Sequence, residues 1–205
     1  MSILITGFEP YRKYKLNPSW EVAKTLNGQS IDGEQILSRR VPVSYRKVIK
    51  EIPKIIDETR PKIFLGLGLA STKPNITVER VAINIMDSEK PDNDGFKPTD
   101  EPIVPNGPAA YFATIPVKLI ISELRRNGIP AMISNSAGTF VCNTLMYIAL
   151  HHIKERQYNT LAGFIHLPAL PIQVLDKSQP SMSLDLMVKG IKIAIHVSLK
   201  YLNSI

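Results

Sequence analysis

Apolar side chains in this chain recur with two periods. Short β-branched runs alternate from end to end with stretches in which apolar positions return every three to four residues, the order expected of βαβ units. Strands are predicted at 3–6, 35–43, 62–67, 77–85, 131–135 and 161–166, with a short edge strand at 109–115. A first helix is predicted to start at Pro18, with Asn17 as its cap, and to stop at Gly28. Further helices are predicted at 44–59, 116–127, 142–153 and 183–202. In the second of these Val48, Ile52, Ile55 and Ile56 share one face, and Pro53 is expected to kink the axis. Residues 86–108 hold five prolines and almost no periodicity, which predicts a long loop of the kind that often carries function. The fold implied is α/β: a single domain over 1–205, built as a three-layer α/β/α open sandwich on a mainly parallel twisted sheet.

Length and composition narrow the function classes. The 205 residues suit one large domain, and 44% hydrophobic with 21% charged residues exclude a disordered or collagen-like chain. The 25 Lys and Arg against 18 Asp and Glu give a net charge of +7, but the positive residues are scattered, so no nucleic-acid partner is expected. One cysteine, Cys142, can form neither an intramolecular disulfide nor a multi-thiolate metal site. A reducing compartment, the cytoplasm, is the expected location, without metal or cofactor. The start of the chain lacks the features of a secretory signal, and no run approaches the roughly 18–20 apolar residues of a membrane span.

The candidate chemistry lies in Ser134-Asn-Ser-Ala-Gly-Thr-Phe-Val-Cys142-Asn143, which joins a predicted strand to a predicted helix. A helix start favours thiolate over thiol, and its unpaired N–H groups suit an oxyanion. Of four histidines, His151 and His152 lie down the same helix, on the order of 14 Å away at ~1.5 Å per residue, and His196 sits within the terminal helix. His166 ends a strand. About twelve helical residues descend ~18 Å and six strand residues climb ~20 Å, so Cys142 and His166 are expected on one edge of the sheet. Such a pair suits acyl transfer without a metal. A third group should orient the imidazole, and Glu79, Asp87, Asn135 and Asn143 all remain open on spacing.

Several segments resemble, in order along the chain, the pyroglutamyl peptidase I family: Gly7-Phe-Glu-Pro10, Asn17-Pro-Ser-Trp-Glu21, Glu79-Arg-Val-Ala-Ile-Asn84, Pro91-Asp-Asn93, Ser136-Ala-Gly-Thr-Phe-Val-Cys-Asn143 and Gly163-Phe-Ile-His-Leu-Pro168. The resemblance implies a cytosolic cysteine peptidase that removes an N-terminal pyroglutamyl (5-oxoprolyl) residue from peptides, assembled as a homo-oligomer, tetramer or dimer. It assigns Cys142 as nucleophile, His166 as base and acid, and Glu79 as the orienting acid. It places Phe8, Tyr11, Asn17, Phe140 and Val141 around the lactam ring, where an apolar slot with a few polar groups is what such a ring needs.

Two departures bear on activity. Tyr11-Arg12-Lys13 stands where the family usually has Phe-Gly-Gly, and Glu89 stands where an arginine is common, leaving Lys90 or backbone N–H groups to replace it. They motivate an alternative reading: a catalytically impaired relative that binds peptide N-termini or serves as an assembly subunit.

Overall fold

The computed structural model describes residues 2–12 and 14–204. Its first unit is β1 (Ser2–Phe8) followed by α1 (Pro18–Leu26), then the short β2 (Ser30–Ile31) and β3 (Glu34–Val41). Asn17 caps α1 through its side-chain oxygen, which accepts from Ser19 N at 3.2 Å, and Gly28 follows at φ 78°. Ser44 caps α2 (Tyr45–Thr59) in the same way, accepting from Lys47 N at 3.3 Å. Caps of this kind contribute about 1 kcal/mol each. Pro53 lies inside α2, which is continuous through it.

The chain continues through β4 (Ile63–Leu69), β5 (Ile76–Glu79), β6 (Val81–Ile83), β7 (Ala110–Phe112), α3 (Val117–Arg126), β8 (Ala131–Ser134), α4 (Val141–Glu155), β9 (Leu161–Leu167) and α5 (Leu184–Leu202). Seven strands form one sheet in the order β2-β3-β1-β4-β9-β5-β8. Strand alternation sorts its side chains. Ile3, Ile5, Leu65, Leu67 and Ile165 join a core with α1, α3 and α5, while Leu4, Phe64 and Phe164 join a second core with α2 and α4. The result is a single-domain α/β/α sandwich.

Three sequence expectations change. The predicted strand at 77–85 is two strands. At Arg80 the chain leaves the large sheet: its N still donates to Ser134 O (2.8 Å), but its O accepts from Ala113 N (2.9 Å). Residues 81–83 then pair antiparallel with 110–112 in a separate two-stranded sheet, so the 109–115 segment does not edge the main one. Alternation survives the break because both halves are extended, and period two carries no information about the partner. The sheet is also less parallel than expected around the candidate site. β3, β1, β4 and β9 run parallel, but β5 is antiparallel to β9, and β8 runs with β5.

The proline-rich loop at 86–108 is pinned at several points. Asp92, 5% exposed, accepts from the amides of Tyr45 (3.0 Å), Asp94 (2.9 Å) and Phe96 (2.9 Å). Asn93 Nδ2 donates to Glu9 Oε1 (2.8 Å) and Pro10 O (3.0 Å), and Glu9 Oε1 also accepts from Val43 N (3.1 Å). The loop is thereby tied to the segment after β1.

Candidate active site

β9 carries Phe164 and His166 toward the α2/α4 layer, as its alternation requires. The antiparallel register sets Thr77 opposite His166 and Glu79 opposite Phe164, so Glu79 is the diagonal neighbour of His166 on the same face. Glu79 Oε1 lies 2.8 Å from His166 Nδ1, with side-chain exposures of 3% and 12%. The second carboxylate oxygen of Glu79 is buried and has no hydrogen-bond partner among the described residues. The charge of Glu79 is therefore directed at the imidazole, because a buried carboxylate needs a countercharge.

Cys142 is the second residue of α4, whose start has no side-chain cap; the first turn opens with Asn143 N on Phe140 O at 3.0 Å. The amides of the first helical residues thus precede the intrahelical ladder. The Cys142 side chain also interacts with the His166 imidazole. Burial alone would push His166 down, but the interactions with Cys142 and with the Glu79 carboxylate outweigh it and hold the imidazole up at about 9, against an ordinary 6.5.

Glycines on β4 make this approach possible. A Cβ at position 68 would stand 2.8 Å from Phe164 Cζ and 3.0 Å from Cys142 Sγ, and one at position 66 would stand 2.5 Å from Phe164 Cδ2. Only a bare backbone lets the start of α4 and the Phe164 ring settle onto the sheet together. Gly138, at φ 78°, turns the 135–140 segment that brings the chain from β8 to α4. That segment is needed because β8 is antiparallel to β9 and ends at the level of Phe164, through Glu79. The expected shared edge of Cys142 and His166 is observed, although the strand feeding the helix runs opposite to the expected direction.

The four residues left open for the third group differ in what they touch. Asn143 is fully buried and clamps the α4 start to β6, accepting from Ile83 N (2.9 Å) and donating to Ile83 O (2.8 Å) and Ile85 O (3.1 Å). Asn135 accepts from Arg80 Nη1 at 2.8 Å, and Asp87 exchanges hydrogen bonds with Thr139 through its backbone. Of the four, Glu79 alone meets the ring among the described residues. The other histidines lie elsewhere: His151 on Tyr111 Oη (3.0 Å), His152 on Asp57 (2.9 Å) and His196 on Asp32 (2.6 Å).

Cys142 opens into a cavity of about 640 Å³. Phe8, Tyr11, Asn17, Phe140 and Val141 all line it. Phe140 lies 5.4 Å, centroid to centroid, from both Tyr11 and Tyr45, and Tyr11 Oη donates to Pro91 O at 2.8 Å. Asn17 enters the wall with its carboxamide already holding Ser19 N and Oγ and Glu9 O. Arg12, Tyr14, Val43, Leu69 and Lys90 also line it; Arg12 and Lys90 are the cations of the two departures read from the sequence, whereas Tyr14, Val43 and Leu69 are not among the residues expected around the ring. For Tyr14 the available signal is its place just after the Gly7–Pro10 segment; nothing in the local sequence marks Val43 or Leu69 as lining. Lys90 faces the cavity; Glu89 does not line it. Lys13 lies outside the described residues. Among these residues no group of three or more His, Cys, Asp or Glu side chains is placed to hold a metal ion, and no helix is long and apolar enough to cross a membrane.

The family model described as pyroglutamyl peptidase (peptidase C15) matches residues 1–201. The chain belongs to the pyroglutamyl peptidase family. A pyrrolidone-carboxylate peptidase of Thermococcus onnurineus is 50% identical over 200 residues, covering 98% of this chain and 100% of that one. Its counterpart from Bacillus licheniformis is 46% identical over 196 residues, 96% and 91% of the two chains. The solved pyrrolidone carboxyl peptidase of Thermococcus litoralis superposes with a TM-score of 0.96 at 45% identity, over 99% of this chain and 95% of that one. As a member of the pyroglutamyl peptidase family the chain is a hydrolase of the cysteine peptidase type.

Proposed function

We propose that this pyroglutamyl peptidase family member removes an N-terminal pyroglutamyl residue from peptides by acyl transfer through Cys142, His166 and Glu79. The observation that supports it is the continuous contact from Glu79 through His166 to a thiol that opens into an aromatic-walled cavity. The Cys142 thiolate attacks the exocyclic carbonyl of the pyroglutamyl residue, and the tetrahedral oxyanion faces the uncapped amides of the first turn of α4. Collapse breaks the C–N bond; the leaving amine takes the proton of the His166 imidazolium. Water then gives a proton to the neutral imidazole and adds to the thioester, and expulsion of the thiolate releases 5-oxoproline and restores the ion pair. Phe8, Tyr11, Phe140 and Val141 hold the ring in the cavity, and Asn17 shapes its wall.

A purely binding relative has no use for a thiol set against a buried His166–Glu79 pair, and the alternative reading is supported by neither the contacts of the site nor its relatives. Pyroglutamyl-aminomethylcoumarin is the direct test, with alanyl and prolyl coumarins as controls. Release confined to the pyroglutamyl substrate and abolished by iodoacetamide is expected; release that survives complete alkylation of Cys142 would overturn the mechanism.

The β4 packing adds a second expectation. Gly68→Ala forces either Phe164 or the sulfur aside, and a displacement of that size lowers kcat/KM by about 10- to 100-fold. Steady-state kinetics beside a thermal melt separate this from general destabilisation. An unchanged kcat/KM would show that the sulfur has room which this packing denies it.

A further inference from the structure

The cavity is far larger than one five-membered ring fills, and its wall divides by chemistry. Beside Cys142 it is lined by Phe8, Val43, Phe140 and Val141, which are apolar, whereas two exposed cations, Arg12 and Lys90, stand on its solvent side. No carboxylate lines it. Of the acids in the two loops, Asp92 is engaged by three amides and Glu9 by Val43 N and Asn93, while Glu89, next to Lys90 in the chain, is exposed and does not line the cavity. Neither Arg12 nor Lys90 forms an ion pair among the described residues.

Both cations are placed by neighbours, Arg12 by its guanidinium against a ring and Lys90 by its backbone. Arg12 Cζ lies 5.5 Å from the centroid of the Tyr11 ring, and the Tyr11 hydroxyl donates to the carbonyl of Pro91, the residue after Lys90. Ser88 Oγ accepts from Lys90 N at 3.1 Å and donates to Lys90 O at 2.8 Å. One tyrosine thus joins the two loops and sets a cation on either side of itself. The net charge of +7 gives the surrounding field the same sign.

In the reaction proposed above, the ring occupies the apolar part and the leaving peptide runs out past the rim. We infer that Arg12 and Lys90 select peptides that carry an aspartate or glutamate in the first two positions after the pyroglutamyl residue. The inference rests on the peptidase reading and adds a substrate class to it. It also gives the two departures in these loops a consequence, since Arg12 replaces a small neutral residue of the usual family pattern and Lys90 is the cation presented where Glu89 has reversed a charge.

Pyroglutamyl tripeptide amides with Asp, Ala or Lys at the second position, and the same set with the charge moved one residue on, provide the test. At about 0.01 M salt, kcat/KM for the Asp peptide should exceed that for the Lys peptide by about ten-fold, falling to about two-fold or less near 1 M, where exposed charges are screened within ~3 Å. The double variant Arg12→Glu/Lys90→Glu should reverse the order. Equal rates for all three charges, with the Ala peptide cleaved, would overturn the inference and leave the peptidase reading standing. A preference unchanged in 1 M salt would overturn it too, whether or not the double variant folds. Failure to cleave even the Ala peptide would remove the peptidase reading itself.

Discussion

Cys142→Ser is expected to keep its fold and lose pyroglutamyl hydrolysis by at least about a thousand-fold. The substitution changes one atom at the start of α4, where Asn143 and not Cys142 anchors the helix to β6. A melting temperature within about 2 °C of the parent is therefore expected. The chemistry fails because a hydroxyl is a far weaker acid than a thiol, so the same imidazole cannot hold it as an anion in the ground state. Coumarin release and a thermal scan on one preparation measure both quantities. Residual turnover above about a tenth of the parent's would point to a nucleophile other than Cys142.

The second large effect belongs to Glu79→Gln. The variant keeps a side-chain oxygen that can accept from His166 Nδ1, 2.8 Å away in the parent, but removes the buried negative charge. Loss of about 10²- to 10⁴-fold in kcat/KM is expected, the range seen when an orienting acid of such a triad becomes an amide. Its pH signature distinguishes this from a merely structural role. His166 is raised from 6.5 to about 9 against the pull of burial, by Cys142 and by Glu79. The imidazolium that protonates the leaving amine is present below that value, so kcat/KM in the parent should decline as pH rises through about 9. Without the Glu79 charge the decline should begin at lower pH, part of the way toward 6.5. The sign for stability follows. A raised imidazole contributes stability that is complete below 6.5 and is lost as pH rises through about 9, and Glu79→Gln should narrow that window. An alkaline limb at the same pH in both proteins would show that Glu79 does not hold this proton.

Much of the molecule is legible in its residues. The α/β class and the capped start of α1 follow from local spacing and from an oxygen that can cap a helix. The shared edge of Cys142 and His166 is legible too. A helix and a strand of matched length bring the chain back to where it started, whatever their neighbours do. Motif resemblance supplied Glu79 and the aromatic lining, which spacing alone left among alternatives.

Tertiary structure decided which of those alternatives touch. Side-chain alternation reports that a segment is extended; it does not report strand direction or partner. Hence the break at Arg80, the reversal of β5 and β8 against β9, and the diagonal that sets Glu79 on His166 lie outside any one-dimensional reading. The cationic rim is of the same kind, because Arg12 and Lys90 are 78 residues apart and line one cavity through contacts between their loops, Tyr11 to Pro91 and Asn93 to Glu9 and Pro10. Local sequence sets conformation through forces that act over a few residues. Which distant groups share a cavity is settled by how the layers pack, and that is a property of the whole chain.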